Sequence, residues 1–301
     1  MEQPSDLPEA KRALIEKYLR GDRPRTEAAT GTETITVSAG AGEQAAGIVP
    51  IRTGGTKAPF FFLHGQWKMG GFFCYPMALA LGPDRPFYAV DPYEFTEQAA
   101  PPRLGAVAAE HVRSIRKIAP QGPYALGGWC NGALLAHMIA SQLQSEGQEV
   151  ERLVLMDPVY LEYPSRLTRI RAMIMRFGGL FGADGARQLE LYLSLRQVYR
   201  YGAHVASYLT SRDYRTTEKF TGFEREDYPG IYDWAAMGNG AVGRYAGKIT
   251  FLWSVTQPFR QGWRSIEASE REDHVLPCRH STCLNEHLDL LVDVLQDSLA
   301  R

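Results

Sequence analysis

Cysteine is scarce in this chain: Cys74, Cys130, Cys278 and Cys283 are the only four among 301 residues. Four are too few to staple a domain of that size, so a disulfide scaffold is excluded and a reducing, cytoplasmic setting is the expectation. An excess of one charge is also missing. Lys+Arg number 33 and Asp+Glu 34, a formal net charge of −1. That balance removes the basic field on which non-specific nucleic-acid binding depends, so no nucleic-acid partner is expected. No apolar run approaches the ~18–20 residues of a membrane span. Met1 to Arg25 is polar and charged, without the apolar stretch of a secretory signal, and no membrane partner is expected. What the chain does have is 45% hydrophobic residues. With so little net charge, that content excludes global disorder and suffices for a substantial core.

The hydrophobic residues are not evenly spread. Leu7 to Gly21 (LPEAKRALIEKYLRG) carries a helical stripe, with Gly21 placed to stop it. Asp22 to Gly47 is rich in Ala, Gly, Thr and Glu and reads as a linker. Residues 1–47 are therefore expected to be an N-terminal helix and linker, and residues 48–301 the main domain. From Ile48 onward, short apolar runs alternate with helical patterns. The runs are Ile48–Ile51, Pro59–Leu63 (PFFFL), Pro86–Val90 (PFYAV), Tyr124–Leu126, Leu153–Met156 and Ile249–Trp253. Helices are expected over Leu104–Ile118, Ala133–Gln144 and Glu286–Leu299. Continuous apolar runs are the mark of strands buried on both faces, and their alternation with helices predicts a mostly parallel α/β sheet. The stretch from Tyr160 to Gly247 has helical periodicity and no strand. It reads as a lid inserted near the C-terminal edge of the sheet, where ligands bind in such folds.

The sharpest chemical signal is Gly128-Trp129-Cys130-Asn131-Gly132, between a strand and a helix. It is the nucleophile-elbow pattern G-x-S-x-G with Cys in place of Ser. A nucleophile on so tight a turn needs glycines two residues to either side, and the helix N-terminus points amides at the site. The bland alternative is a Gly-rich turn with an inert cysteine. Asp157 ends the strand LVLM and is placed to orient a base. The competing role for it is a simple loop cap. The other position for the acid, after Ile249–Trp253, holds Ser254, Val255, Thr256 and Gln257 and no carboxylate. Of the seven histidines, His280 precedes the last helix. The order Cys130, Asp157, His280 is that of α/β-hydrolases. His274 is the rival base, while His111 and His137 read as surface or packing residues on helices. Such a base is expected to titrate near 6–7. Oxyanion donors would be the amides of Gln66 (or Trp67), after His64-Gly65, and of Asn131.

A zinc site is the decoy. Cys278, His280, Cys283 and His287 lie close in sequence, but no paired C-x-x-C knuckle is present. No metal is expected, and Cys283 reads as a small core residue.

Taken together, IVPIRTGGTKAPFFFLHG, GPYALGGWCNGALLAHMIASQL, VERLVLMDP and LPCRHSTCL resemble the thioesterase domains of nonribosomal peptide and polyketide synthases. The resemblance runs from about Ile48 to the C-terminus. It implies an α/β-hydrolase core with a helical lid. It also implies that the substrate is an acyl chain presented as a thioester on the phosphopantetheine arm of a carrier protein, with no bound cofactor. It carries Cys130 over as nucleophile, His280 as base and Asp157 as orienting acid. LPEAKRALIEKYLRG resembles a linker helix of such assembly lines. The departure is Cys130, where most of the family has Ser. Transfer from the pantetheine thiol to Cys exchanges one thioester for another, so the intermediate stays reactive toward water, an internal nucleophile or a second thiol. Two further readings follow: a carrier-to-carrier acyl transferase using the same Cys, and a catalytically silent hydrolase-fold binding module. In the lid, Met173, Met175, Phe177, Leu180, Phe181, Leu191, Tyr192, Tyr199, Tyr201 and Tyr208 are expected either to meet a large apolar acyl chain or to form the lid's own core. Arg166, Arg169, Arg171 and Arg176 read either as a basic face for an acidic carrier or as a solvated helix face.

Overall fold

Side-chain alternation along the strands builds the sheet and divides its two faces. The structure, a computed structural model, describes residues 47–65, 74–91, 101–159, 165–210, 228–237, 244–255, 258–280, 282–284 and 286–300. The expected N-terminal helix and nearly all of the expected linker lie outside these residues. The strands are β1 (Ile48–Arg52), β2 (Phe60–Leu63), β3 (Phe87–Val90), β4 (Tyr124–Trp129), β5 (Val150–Met156), β6 (Lys248–Ser254) and β7 (Glu270–Leu276). They form one sheet in the order β1-β3-β2-β4-β5-β6-β7. Only β1 runs antiparallel to its neighbour; every other pairing is parallel.

Successive residues on a strand face opposite sides, so one short apolar run feeds two cores. Phe61, Leu63, Leu126, Leu153 and Leu155 pack on one face. There they meet α2 (Leu104–Ile118) and α3 (Asn131–Ser145) through Val112, Ile115, Leu135 and Ile139. Phe60, Phe62, Ala125, Val154 and Met156 pack on the other. There they meet α1 (Cys74–Ala80) and α7 (Leu288–Ala300) through Met77, Leu291, Leu295 and Leu299. Helices thus cover both faces, which is why the central strands read as unbroken apolar runs.

Between β5 and β6 lie α4 (Ser165–Gly178), a short 3-10 turn (Gly179–Phe181), α5 (Gly185–Thr210) and α6 (Tyr228–Met237). No strand is described in this lid. It has a small core of its own, built on Ile174, Tyr192 and Trp234. The Arg196 guanidinium pairs with Asp233 at 3.0 Å and ties α5 to α6. Arg171 caps the Trp234 ring at 4.7 Å and donates to the Trp234 carbonyl, tying α4 to α6.

Two elements are not marked as such by the sequence: α1 is short and proline-bearing, and β7 is mostly charged. α1 is seven residues long and contains Pro76. β7 reads EREDHVL and, among the described residues, pairs only with β6. An edge strand buries little and tolerates charge. Here the charge is used: buried Arg152 of β5 reaches Glu270 at 3.1 Å and Glu272 at 3.9 Å.

Candidate active site

Parallel register brings the C-terminal ends of β2, β4, β5 and β6 into one row. Leu63 pairs with Gly128, Trp129 with Met156, and Met156 with Leu252. The residues just beyond those pairs are therefore neighbours: Gly65, Cys130, Asp157 and Ser254.

Cys130 caps the start of α3 in a strained conformation, φ 57° and ψ −119°. Its amide donates to the Met156 carbonyl at 2.9 Å, which fixes the turn to β5. The glycines beside it are steric necessities. A Cβ on Gly128 would fall on the Gly132 carbonyl, and a Cβ on Gly132 would fall on the Leu63 carbonyl. This is the elbow that G-x-C-x-G predicts, with a thiol raised at the mouth of a helix N-terminus.

Asp157 also has positive φ, 42°. It is buried, and its two oxygens have different partners. Oδ1 accepts the Ser254 amide at 2.6 Å, and Oδ2 meets His280 Nδ1 at 2.9 Å. The end of β6, which lacks a carboxylate, thus supplies an amide that aims the one on β5. The Cys130 side chain also bears on the charge of His280 and favours its protonated form. Burial works to lower the His280 pKa. Hydrogen bonds to Asp157 and Cys130, with the charges of both, outweigh it and push the group up to about 10. That value lies above the 6–7 read from the sequence, because the Asp157 carboxylate and the Cys130 side chain both favour the imidazolium over the neutral ring.

His280 sits on a closed loop. Cys278 and Cys283 form a disulfide, Cα–Cα 5.4 Å. Cys283 is therefore not merely a small core residue as expected, and the four cysteines do include a bond. The pairing was missed because cysteine scarcity argues against a scaffold, not against a single local clasp. Both sulfurs of the supposed zinc quartet are consumed by it, and among the described residues no metal-holding cluster occurs.

The rival His274 lies on β7 opposite Leu252, beside Glu272 at 3.6 Å, and it is His280 that meets Asp157. His111 and His137 are both buried, and burial lowers each to about pKa 4. They are packing residues, not surface ones. Gln66 and Trp67 lie outside the described residues. His64, just before Gly65, is fully buried and meets Asp91 at 2.7 Å, a pairing that joins the ends of β2 and β3. Asn131 opens α3 directly after Cys130.

Sequence reasoning missed Tyr232. This α6 residue is buried and donates its hydroxyl to the Asn131 carbonyl at 2.8 Å. Burial first, then the charges of Cys130 and Asp233, raise its pKa well above the usual phenol value. A lid residue thus touches the elbow. Nothing in the local text YPGIYDWAAM marks it, since the contact depends on how the lid folds back. Of the lid residues named above, Tyr192 is in the lid core, while Met173, Met175, Phe177, Leu180, Phe181, Leu191 and Tyr201 are exposed. Tyr199 is half-buried, and the side chain of Tyr208 lies outside the described residues. Arg166, Arg169 and Arg176 are exposed on α4.

Residues 75–180 match the thioesterase domain family. The chain is 34% identical over 127 residues to a dimodular nonribosomal peptide synthase of Bacillus subtilis (strain 168), covering 41% of this chain and 5% of that protein. It is 38% identical over 138 residues to the conidial pigment polyketide synthase alb1 of Aspergillus fumigatus, covering 44% of this chain and 6% of that protein. The chain thus spans only a small part of the synthases it matches. Among solved structures, the NocB thioesterase domain from the nocardicin cluster superposes with TM-score 0.55 at 18% identity, over 85% of this chain and 100% of that one. The type II thioesterase BorB from the borrelidin biosynthetic cluster gives 0.51 at 17% identity, over 84% of this chain and 97% of that one. The fold is that of the α/β-hydrolases.

Proposed function

We propose that this chain is a thioesterase of a nonribosomal peptide or polyketide assembly line. It frees an acyl, peptidyl or polyketide chain from a carrier-protein phosphopantetheine thioester through an acyl-Cys130 intermediate, by hydrolysis or cyclisation. The observation that carries this reading is the His280–Asp157 hydrogen bond, with the Cys130 side chain bearing on the His280 charge, at an elbow whose glycines cannot be replaced. The roles follow from chemistry. The Cys130 thiolate attacks the thioester carbonyl, and its proton resides on His280. Asp157 holds the ring by Nδ1 and stabilises the imidazolium. The amide of Asn131 and that of Gln66, which lies outside the described residues, are the assigned donors to the tetrahedral oxyanion, each contributing about 3 kcal/mol. Collapse breaks the bond to the pantetheine sulfur, which leaves as a thiol with the proton from His280. Neutral His280 then takes a proton from water, or from a hydroxyl or amine of the chain itself, and that oxygen or nitrogen displaces Cys130. No metal or bound cofactor enters these steps. The partner is an acyl or peptidyl carrier protein.

Cysteine at position 130 also supports a second reading. Because thioester-to-thioester exchange is nearly isoenergetic, the acyl group can pass to a second carrier. Incubation with a loaded carrier and a second, empty carrier separates the two. Release as free acid or ring, lost in Cys130→Ala, supports the thioesterase. Quantitative appearance on the second carrier, with no free product, establishes transfer. Unchanged output in Cys130→Ala would leave only a silent binding module.

A further inference from the structure

Trp129, the residue between Gly128 and Cys130, lies face to face with His280. The ring centroids are 4.6 Å apart and the planes differ by 15°. The indole is largely buried and packs in the same cluster as Cys278 and Cys283, the clasp of the His280 loop. The hydrogen bond that His280 Nδ1–H donates to Asp157 Oδ2 holds the ring at one edge. Alone it leaves the ring able to tilt about the Nδ1 contact. A parallel aromatic face removes that freedom. It also presents the negative face of an indole quadrupole to a ring that carries positive charge whenever Cys130 is a thiolate.

We propose that Trp129 is a positioning residue for His280, holding the ring by its face and stabilising the imidazolium of the Cys130–His280 ion pair. This rests on the reading of Cys130 and His280 given above. The groups that bear on the His280 charge are Cys130 and Asp157, and both favour the cation; Trp129 adds to them without carrying charge.

The test uses the intact chain and needs no substrate. The alkylation rate of Cys130 by iodoacetamide, followed from pH 5 to 10 with the site confirmed by peptide mass, reports the thiolate fraction. Trp129→Leu is expected to slow alkylation at neutral pH by about tenfold. The rates should converge at high pH, where any thiol is ionised. Trp129→Phe keeps a stackable face and should recover most of the loss, and it guards against misfolding of the leucine variant. A second readout is emission: the part of wild-type tryptophan fluorescence absent from Trp129→Phe should titrate with pH and lose that titration in His280→Gln. Superimposable alkylation profiles for wild type, Trp129→Phe and Trp129→Leu would overturn the role of Trp129. A wild-type profile already matching that of His280→Gln would instead overturn the Cys130–His280 pairing itself.

Discussion

The elbow and the lid obey opposite rules. Around Cys130 each position is fixed from several sides at once. Gly132 abuts the Leu63 carbonyl, the Cys130 amide is held by Met156, and Asp157 is held by Ser254 and His280. The lid has one small core, while Leu180 and Phe181 stand 76% and 84% exposed. Chemistry needs atoms held within fractions of an ångström, so it sits where the sheet leaves no choice. On the proposed function the lid meets the acyl chain, and a surface with that role needs fewer internal constraints. The lid touches the elbow through one described hydrogen bond, from Tyr232 to Asn131.

The largest effect that sharpens this contrast is expected at Asp157. Asp157→Asn keeps the shape but loses the charge that stabilises imidazolium, and the rate of acyl release should fall by about a hundredfold or more. The same substitution should change the pH dependence of stability. His280 is raised in the folded chain from 6.5 to about 10, so its contribution to stability is full below 6.5 and fades as pH rises through about 10. Denaturant unfolding of wild type should show that decline, and Asp157→Asn should move it to lower pH. An unmoved decline would separate Asp157 from the titration of His280.

Next is the clasp. Opening the Cys278–Cys283 bond, by reductant or as Cys278→Ser with Cys283→Ser, should lower unfolding free energy by about 2 kcal/mol, the chain-entropy value for so short a loop. Release activity should fall with it, because the loop carries His280. Thiol titration checks the bond: two reactive groups in denatured, unreduced protein and four after reduction. Four without reductant would show the cysteines unpaired. Tyr232→Phe removes one buried donor and should cost about 1 kcal/mol. If lid and elbow are coupled there, the release rate should drop several-fold while alkylation of Cys130 stays near wild type. Equal loss in both would make Tyr232 part of the elbow's own support. The smallest effect is expected from Leu180→Ser and Phe181→Ser, whose unfolding free energies should stay within about 0.5 kcal/mol of wild type. A larger loss would show that these side chains are packed and not exposed in the lid.

The same contrast explains what could be read from the sequence. The central strands and α2 and α3 were legible because they are buried on both faces or amphipathic, and burial writes periodicity into the text. The elbow was legible because its geometry admits only glycine at 128 and 132. The candidate acid followed from chain order and from the missing carboxylate after β6. Edge strand β7 was not legible, since a strand with one neighbour need not be apolar. The disulfide was hidden because two cysteines five residues apart are bonded only if a turn brings them together. Tyr232 and Trp129 were hidden for a related reason: each acts through a contact distant in sequence, and neither tyrosine nor tryptophan at such a place departs from what a core would use.

The most direct test of the central claim is mass spectrometry of the intact chain after incubation with an acyl pantetheine thioester, followed by peptide mapping. The account predicts one added acyl mass on the peptide containing Cys130, carried by a hydroxylamine-labile thioester and missing in Cys130→Ala and strongly reduced in His280→Ala. An acyl group found on another residue, or labelling of Cys130 that is indifferent to His280, would contradict it.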